Sequence, residues 1–128
     1  MPAKLDHLTI ASQDREAADR HYAILLPLVG FQEVKDGIWT DGEGFFLQFM
    51  TAKQGTRPYE RYEAGLNPWA LSMESSEAVD RLRASLIEDG INAQPVQDLQ
   101  GARALFVPDP DGLRAEFTWH PDGMAPVA

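Results

Sequence analysis

Phe106-Val107-Pro108-Asp109-Pro110-Asp111-Gly112-Leu113-Arg114-Ala115-Glu116-Phe117-Thr118-Trp119 reads as the end of one strand, a tight turn and a second strand. Pro110 presets φ for the first turn position, Asp111 favours the second, and Gly112 tolerates the backbone that leaves the turn. Beyond the turn, Leu113, Ala115, Phe117 and Trp119 alternate with Arg114, Glu116 and Thr118. That period of two belongs to a strand with one apolar face. Glu116 then sits mid-strand on the face opposite Phe117 and Trp119, where a carboxylate needs a reason.

Working outward, the same pattern occurs twice. Leu5 to Ala11 alternates as a strand, with Leu8 and Ile10 on one face and His7 and Thr9 on the other. Ser12 or Asp14 can cap a helix over Arg15 to Leu26, which carries Ala18, Tyr22 and Leu25 at helical spacing and is expected to end at Pro27. Gly30 to Val34 restarts as a strand, Asp36-Gly37 signals a hairpin into Ile38 to Thr40, and Phe45 to Met50 forms the next strand. After a loop from Thr51 to Leu66, Trp69 to Met73 is again a strand. Ser75 or Ser76 caps a helix to Asp89 with a stripe of Ala78, Val79, Leu82 and Leu86. Strands are expected over Ile91 to Val96 and Ala102 to Val107, before the opening hairpin closes the set; residues 120–128 carry no period and read as a tail.

The offsets make this a repeat. Gly30-Phe31 recurs as Gly90-Ile91, the strand around Gln48 recurs around Glu116, and His7-Leu8-Thr9-Ile10 recurs as Pro68-Trp69-Ala70-Leu71. The reading is an α+β fold of two βαβββ modules in one domain, with module one over about 4–51, a linker loop over 52–66 and module two over about 67–120. Alternation then sends Leu8, Ile10, Leu47, Phe49, Trp69, Leu71, Phe117 and Trp119 beneath the helices. It sends His7, Thr9, Phe46, Gln48, Ala70, Ser72, Glu116 and Thr118 to the other face. The second face mixes polar and large apolar side chains, which suits a concave pocket more than a solvated surface.

The bulk properties narrow the function classes. A chain of 128 residues is long enough to bury a core. A net charge of −9 argues against nucleic acid or an anionic membrane as partner, since both need a basic footprint. The absence of cysteine excludes disulfides, thiol nucleophiles and thiolate metal sites, and fits the cytoplasm. The N-terminus meets a charge at once and shows no signal-peptide core, and no window approaches the ~18 apolar residues of a membrane span.

Four motifs carry a resemblance. In this order and spacing, Leu5-Asp6-His7-Leu8, Leu28-Val29-Gly30-Phe31, Gly65-Leu66-Asn67-Pro68-Trp69-Ala70-Leu71 and Asp109-Pro110-Asp111-Gly112-Leu113-Arg114-Ala115-Glu116 resemble the vicinal oxygen chelate superfamily. That superfamily includes lactoylglutathione lyases, bleomycin-resistance proteins, fosfomycin-resistance enzymes and extradiol dioxygenases, and the resemblance spans about residues 4–119. It implies a mixed sheet curled around a cup, helices on the outer face, and a homodimer with paired sites. In metal-dependent members the ligands come from positions matching His7, Gln48, Pro68 and Glu116. His7 and Glu116 fit. Gln48 offers only a neutral amide oxygen, and Pro68 has no donor, while Asn67 beside it should point to the opposite face. His120, four residues beyond Glu116, is about 13 Å along a strand and too far to share its ion. His21 reads as a packing histidine on the first helix.

Two functions of different class follow from the resemblance. The first is a binding protein that holds a small, partly aromatic molecule without requiring a cofactor, using a pocket of His7, Thr9, Phe46, Gln48, Met50, Tyr59, Pro68, Arg114 and Thr118. Trp39, Tyr62 and Trp69 are further aromatics to place. The alternative is a metal-dependent lyase or isomerase of the lactoylglutathione lyase type, with Glu116 as catalytic base and a weak divalent ion on His7, Gln48 and Glu116. Extradiol dioxygenase chemistry is disfavoured, because Pro68 stands where a ligand histidine belongs. If Glu116 abstracts a proton without a metal, Arg57, Arg61, Arg103 or Arg114 must meet the resulting anion. The homodimer is expected to join either by swapping modules or side by side.

Overall fold

In the computed structural model, which describes residues 1–122 and 124–126, the chain forms two compact units, 1–58 and 59–128. The division falls inside the long loop. Of the tail expected over 120–128, Gly123, Val127 and Ala128 lie outside the described residues.

The first unit runs β1 (His7–Ser12), α1 (Arg15–Leu28), β2 (Gln32–Lys35), β3 (Ile38–Thr40) and β4 (Phe46–Thr51). The second runs β5 (Trp69–Ser72), α2 (Ser76–Glu88), β6 (Gln97–Leu99), β7 (Ala102–Pro108) and β8 (Arg114–Trp119). Each unit builds its own four-stranded sheet, ordered β1-β4-β3-β2 in one and β5-β8-β7-β6 in the other. The repeat therefore holds at the level of strand order. It also holds in register: Thr9 lies opposite Gln48 in the parallel pair β1–β4, and their equivalents Ala70 and Glu116 lie opposite one another in the parallel pair β5–β8.

The helices begin and end alike. Asp14 accepts a hydrogen bond from the Ala17 N–H at 3.1 Å, and Ser75 accepts one from the Ala78 N–H at 3.0 Å. Each thereby satisfies one of the unpaired donors of a first turn. At the other end Gly30 and Gly90 take positive φ (88° and 84°), and the next residue's N–H reaches back to a helical carbonyl, Phe31 to Leu26 at 3.0 Å and Ile91 to Leu86 at 2.9 Å. This left-handed closure favours glycine at both positions.

Each helix covers one face of its sheet. In the first unit Ala18, Tyr22, Leu25 and Leu26 are buried along with Ile10, Leu47 and Phe49, and the Tyr22 and Phe49 rings lie 4.5 Å apart. In the second unit Val79, Leu82 and Leu86 are buried with Leu105, Val107, Ala115 and Phe117. The expected core parity is kept, although Leu8, Leu71 and Trp119 are only half-buried. Leu8 and Leu71 lie on strands at sheet edges, and Trp119 ends its strand.

Two expected elements differ. Helix α1 runs through Pro27 to Leu28. A proline removes one donor but has a helical φ, so in a last turn it need not stop the helix, and Gly30 provides the closure instead. No strand forms over 91–96; the ladder begins at Gln97. Pro95 cannot donate to a ladder, and the Ala93 and Gln94 carbonyls accept from the Arg83 guanidinium at 3.5 and 2.9 Å.

Candidate functional site

The turn quoted at the outset is tied by a residue the turn chemistry alone undervalues. Asp109 is buried, and its Oδ1 accepts from the Asp111 N–H at 2.9 Å and the Leu113 N–H at 3.1 Å. The backbone of Asp109 also pairs with that of Leu113 at 2.9 Å, which fixes the register of β7 against β8. With that register Phe106 lies directly opposite Glu116, and Pro108 opposite Arg114. Directly opposed residues point to the same face.

That face carries a cavity of about 360 Å³, lined by Arg61, Asn67, Pro68, Phe106, Arg114 and Glu116 with Gln97 and Leu99. Glu116 is half-buried there. Burial raises its pKa above the usual carboxylate range; Arg114, a hydrogen bond from Thr118 and the His120 charge pull the other way, and burial prevails. The Arg114 guanidinium lies over the Phe106 ring, 4.3 Å from its centroid, and its Nη2 donates to Asn67 Oδ1 at 3.2 Å. Burial lowers the Arg114 pKa, and the neighbouring Arg61 charge lowers it further, though an arginine stays protonated through such a shift. The Nε atoms of both Arg61 and Arg114 are buried without a hydrogen-bond partner.

The first unit holds a smaller cavity of about 290 Å³ on the equivalent face, lined by Asp6, His7, Ile38, Phe46 and Gln48. Here His7 Nδ1 meets Asp6 Oδ2 at 2.7 Å, with both side chains largely in solvent.

The expected pocket residues divide accordingly. His7, Phe46 and Gln48 line the cavity of the first unit; Pro68, Arg114 and Glu116 line that of the second. Thr9 and Met50 lie exposed on β1 and β4, and Thr118 bonds Glu116 without lining the cavity. Tyr59 is half-buried outside both cavities and donates its hydroxyl to the Leu66 carbonyl at 2.6 Å. Trp39 and Trp69 are core, whereas Tyr62 is exposed beneath the Arg61 guanidinium.

Of the four arginines considered as anion partners, Arg61 and Arg114 reach the cavity, while Arg103 is bound to Asp80 at 2.8 Å. Asn67 corrects the expectation: it precedes β5, so strand parity does not govern it, and its amide enters the cavity.

These donors do not fit a divalent ion. Among the described residues no three histidine or carboxylate side chains converge on one point. In the second unit Pro68 offers no donor, the Asn67 oxygen is taken by Arg114, and an ion at Glu116 would meet two guanidinium groups.

No protein-family model and no curated protein sequence matches the chain. Solved structures do. A structure described as a candidate glyoxalase from Bacillus halodurans superposes with a TM-score of 0.73 at 23% identity, over 90% of this chain and 94% of that one. A glyoxylase/bleomycin resistance protein/dioxygenase domain from Frankia sp. EAN1pec gives 0.72 at 21%, over 97% and 96%. The chain shares the fold of these glyoxalase and glyoxylase/bleomycin resistance protein/dioxygenase structures. The oxidase ChaP-H2 shares it too, with a TM-score of 0.62 at 18% identity over 96% of this chain and 98% of that one. Since glyoxalase-like proteins and an oxidase share this fold, the architecture leaves the chemistry to the side chains. Ile38 and Phe106 were recoverable in principle, being cross-strand partners of Gln48 and Glu116. Asn67 carried no periodic signal.

Proposed function

We propose that this protein binds a small molecule on the sheet face opposite its helices, in the manner of metal-independent glyoxalase/bleomycin-resistance-like proteins. The observation that carries the reading is the make-up of the Glu116 cavity: one half-buried carboxylate, two guanidinium groups and a proline where a metal site needs a donor. Metal analysis of protein purified without chelator, followed by titration with zinc, nickel and manganese, tests it. Substoichiometric metal and no saturable uptake are expected. Tight, stoichiometric metal would sink the reading.

A second reading is favoured by one feature of the same cavity. Burial gives Glu116 a raised pKa, which suits a general base, and Arg114 stands beside it as a partner for a developing anion. This is a lyase or isomerase chemistry that runs through Glu116 and Arg114 alone. Glu116→Gln abolishes turnover of any substrate found under this reading, while under the first it leaves ligand binding in place.

The proposal includes a homodimer in the cytoplasm. Sedimentation at micromolar concentration should give twice the 14.2 kDa chain mass; a monomer at every concentration would remove the dimer.

A further inference from the structure

The cavity of the second unit is built for a particular charge. The chain carries a net charge of −9, yet two of its 11 basic residues converge on one pocket. Like charges held together cost energy, and each guanidinium also keeps its Nε buried with nothing to bond. The Phe106 ring and the Asn67 amide fix the Arg114 plane, so its fork is oriented before anything binds. Against these two cations the cavity supplies one carboxylate, Glu116, which leaves a surplus of one positive charge.

We infer that this cavity binds a small organic carboxylate, held by the guanidinium groups of Arg61 and Arg114 with its apolar part toward Leu99 and Pro68. The inference rests on the metal-free reading of the same cavity and adds the ligand's class. A planar carboxylate matches a guanidinium fork in shape, and its two oxygens can be shared between two guanidinium groups. Its single negative charge matches the surplus of one, where a phosphate dianion would exceed it. A volume of about 360 Å³ lies at the small end of ligand pockets and suits a compact molecule.

The test uses the full chain, labelled with ¹⁵N-arginine, and benzoate as probe, with benzamide as its neutral isostere and inorganic phosphate as competitor. Benzoate should saturate, shift the Nε–H signals of Arg61 and Arg114, and bind at least about tenfold more tightly than benzamide. Arg61→Gln and Arg114→Gln should each weaken benzoate by about tenfold, and Glu116→Gln should tighten it by removing a like charge. Benzamide binding as well as benzoate, phosphate binding more tightly than benzoate, no saturation by benzoate, or wild-type affinity in both arginine variants would each overturn the inference. If Arg114→Gln does not fold, Arg61→Gln and the benzamide comparison decide. A zinc titration of the same sample separates the two levels. Saturable zinc overturns the metal-free reading even if both arginine variants lose benzoate. Equal binding of benzamide and benzoate without zinc uptake overturns only the carboxylate assignment.

Discussion

His21 and Glu116 show burial acting on opposite charge types. For Glu116 burial disfavours the anion and raises the pKa; for His21 it disfavours the cation and lowers the pKa from 6.5 to about 4. The His21 ring stands edge-on to Tyr22 at 4.9 Å, and its Nε2 is buried without a partner. Between pH 6.5 and 4 the unfolded chain therefore binds a proton at His21 that the folded chain does not, and stability must fall as pH falls through that window. The full effect is about 3 kcal/mol. Urea unfolding at pH 7 and at about pH 4.5 should show the wild type losing more stability than His21→Leu by most of that amount; equal losses would refute a buried neutral histidine. The packing role of His21 and the position of Glu116 were both legible in the sequence, because each follows from the period of its own element. Asn67 and Arg61 were harder, because they sit where no period runs. Arg61 could be named only as one of four arginines, and loop geometry alone distinguishes it from Arg103.

The elements repeat because the same physical rules were applied twice. Each unit opens its helix with a side-chain cap and closes it on a glycine at positive φ. Asp14→Ala and Ser75→Ala should each cost about 1 kcal/mol, while Ser76→Ala, one residue inside α2, should be neutral or stabilise by a few tenths. Thermal unfolding of the three variants checks this, and a larger loss from Ser76→Ala than from Ser75→Ala would contradict the assigned cap. The sequence allowed either serine, because both precede the apolar stripe; only the 3.0 Å bond to the Ala78 N–H chooses. The strands were legible wherever apolar and polar residues alternate. The stretch over 91–96 misled because two of its carbonyls are bound by the Arg83 side chain and Pro95 interrupts it, neither of which periodicity registers.

At the scale of the whole molecule, the repeat makes each unit complete in secondary structure, with its own sheet, helix and buried set. Between β4 and β5 lie residues 52–68, with no regular element and most side chains exposed. Local opening concentrates where few buried apolar contacts hold the backbone, so this segment should open before either helix. Trypsin reads that difference. The loop offers Lys53, Arg57 and Arg61, but Pro58 follows Arg57 and blocks cleavage there, which leaves Lys53 and Arg61. Arg20 and Arg81 are exposed too but lie within α1 and α2, whose backbones must unwind before a protease can bind them. Apart from trimming after the exposed Lys4, brief digestion under native conditions should therefore cut first after Lys53 or Arg61, identified by intact-mass spectrometry. Benzoate at saturation should slow the cut after Arg61 and leave that after Lys53 unchanged, because only Arg61 lines the cavity of the second unit. Early cleavage after Arg20 or Arg81 would show that the helices, not the connecting loop, are the least stable part of the fold.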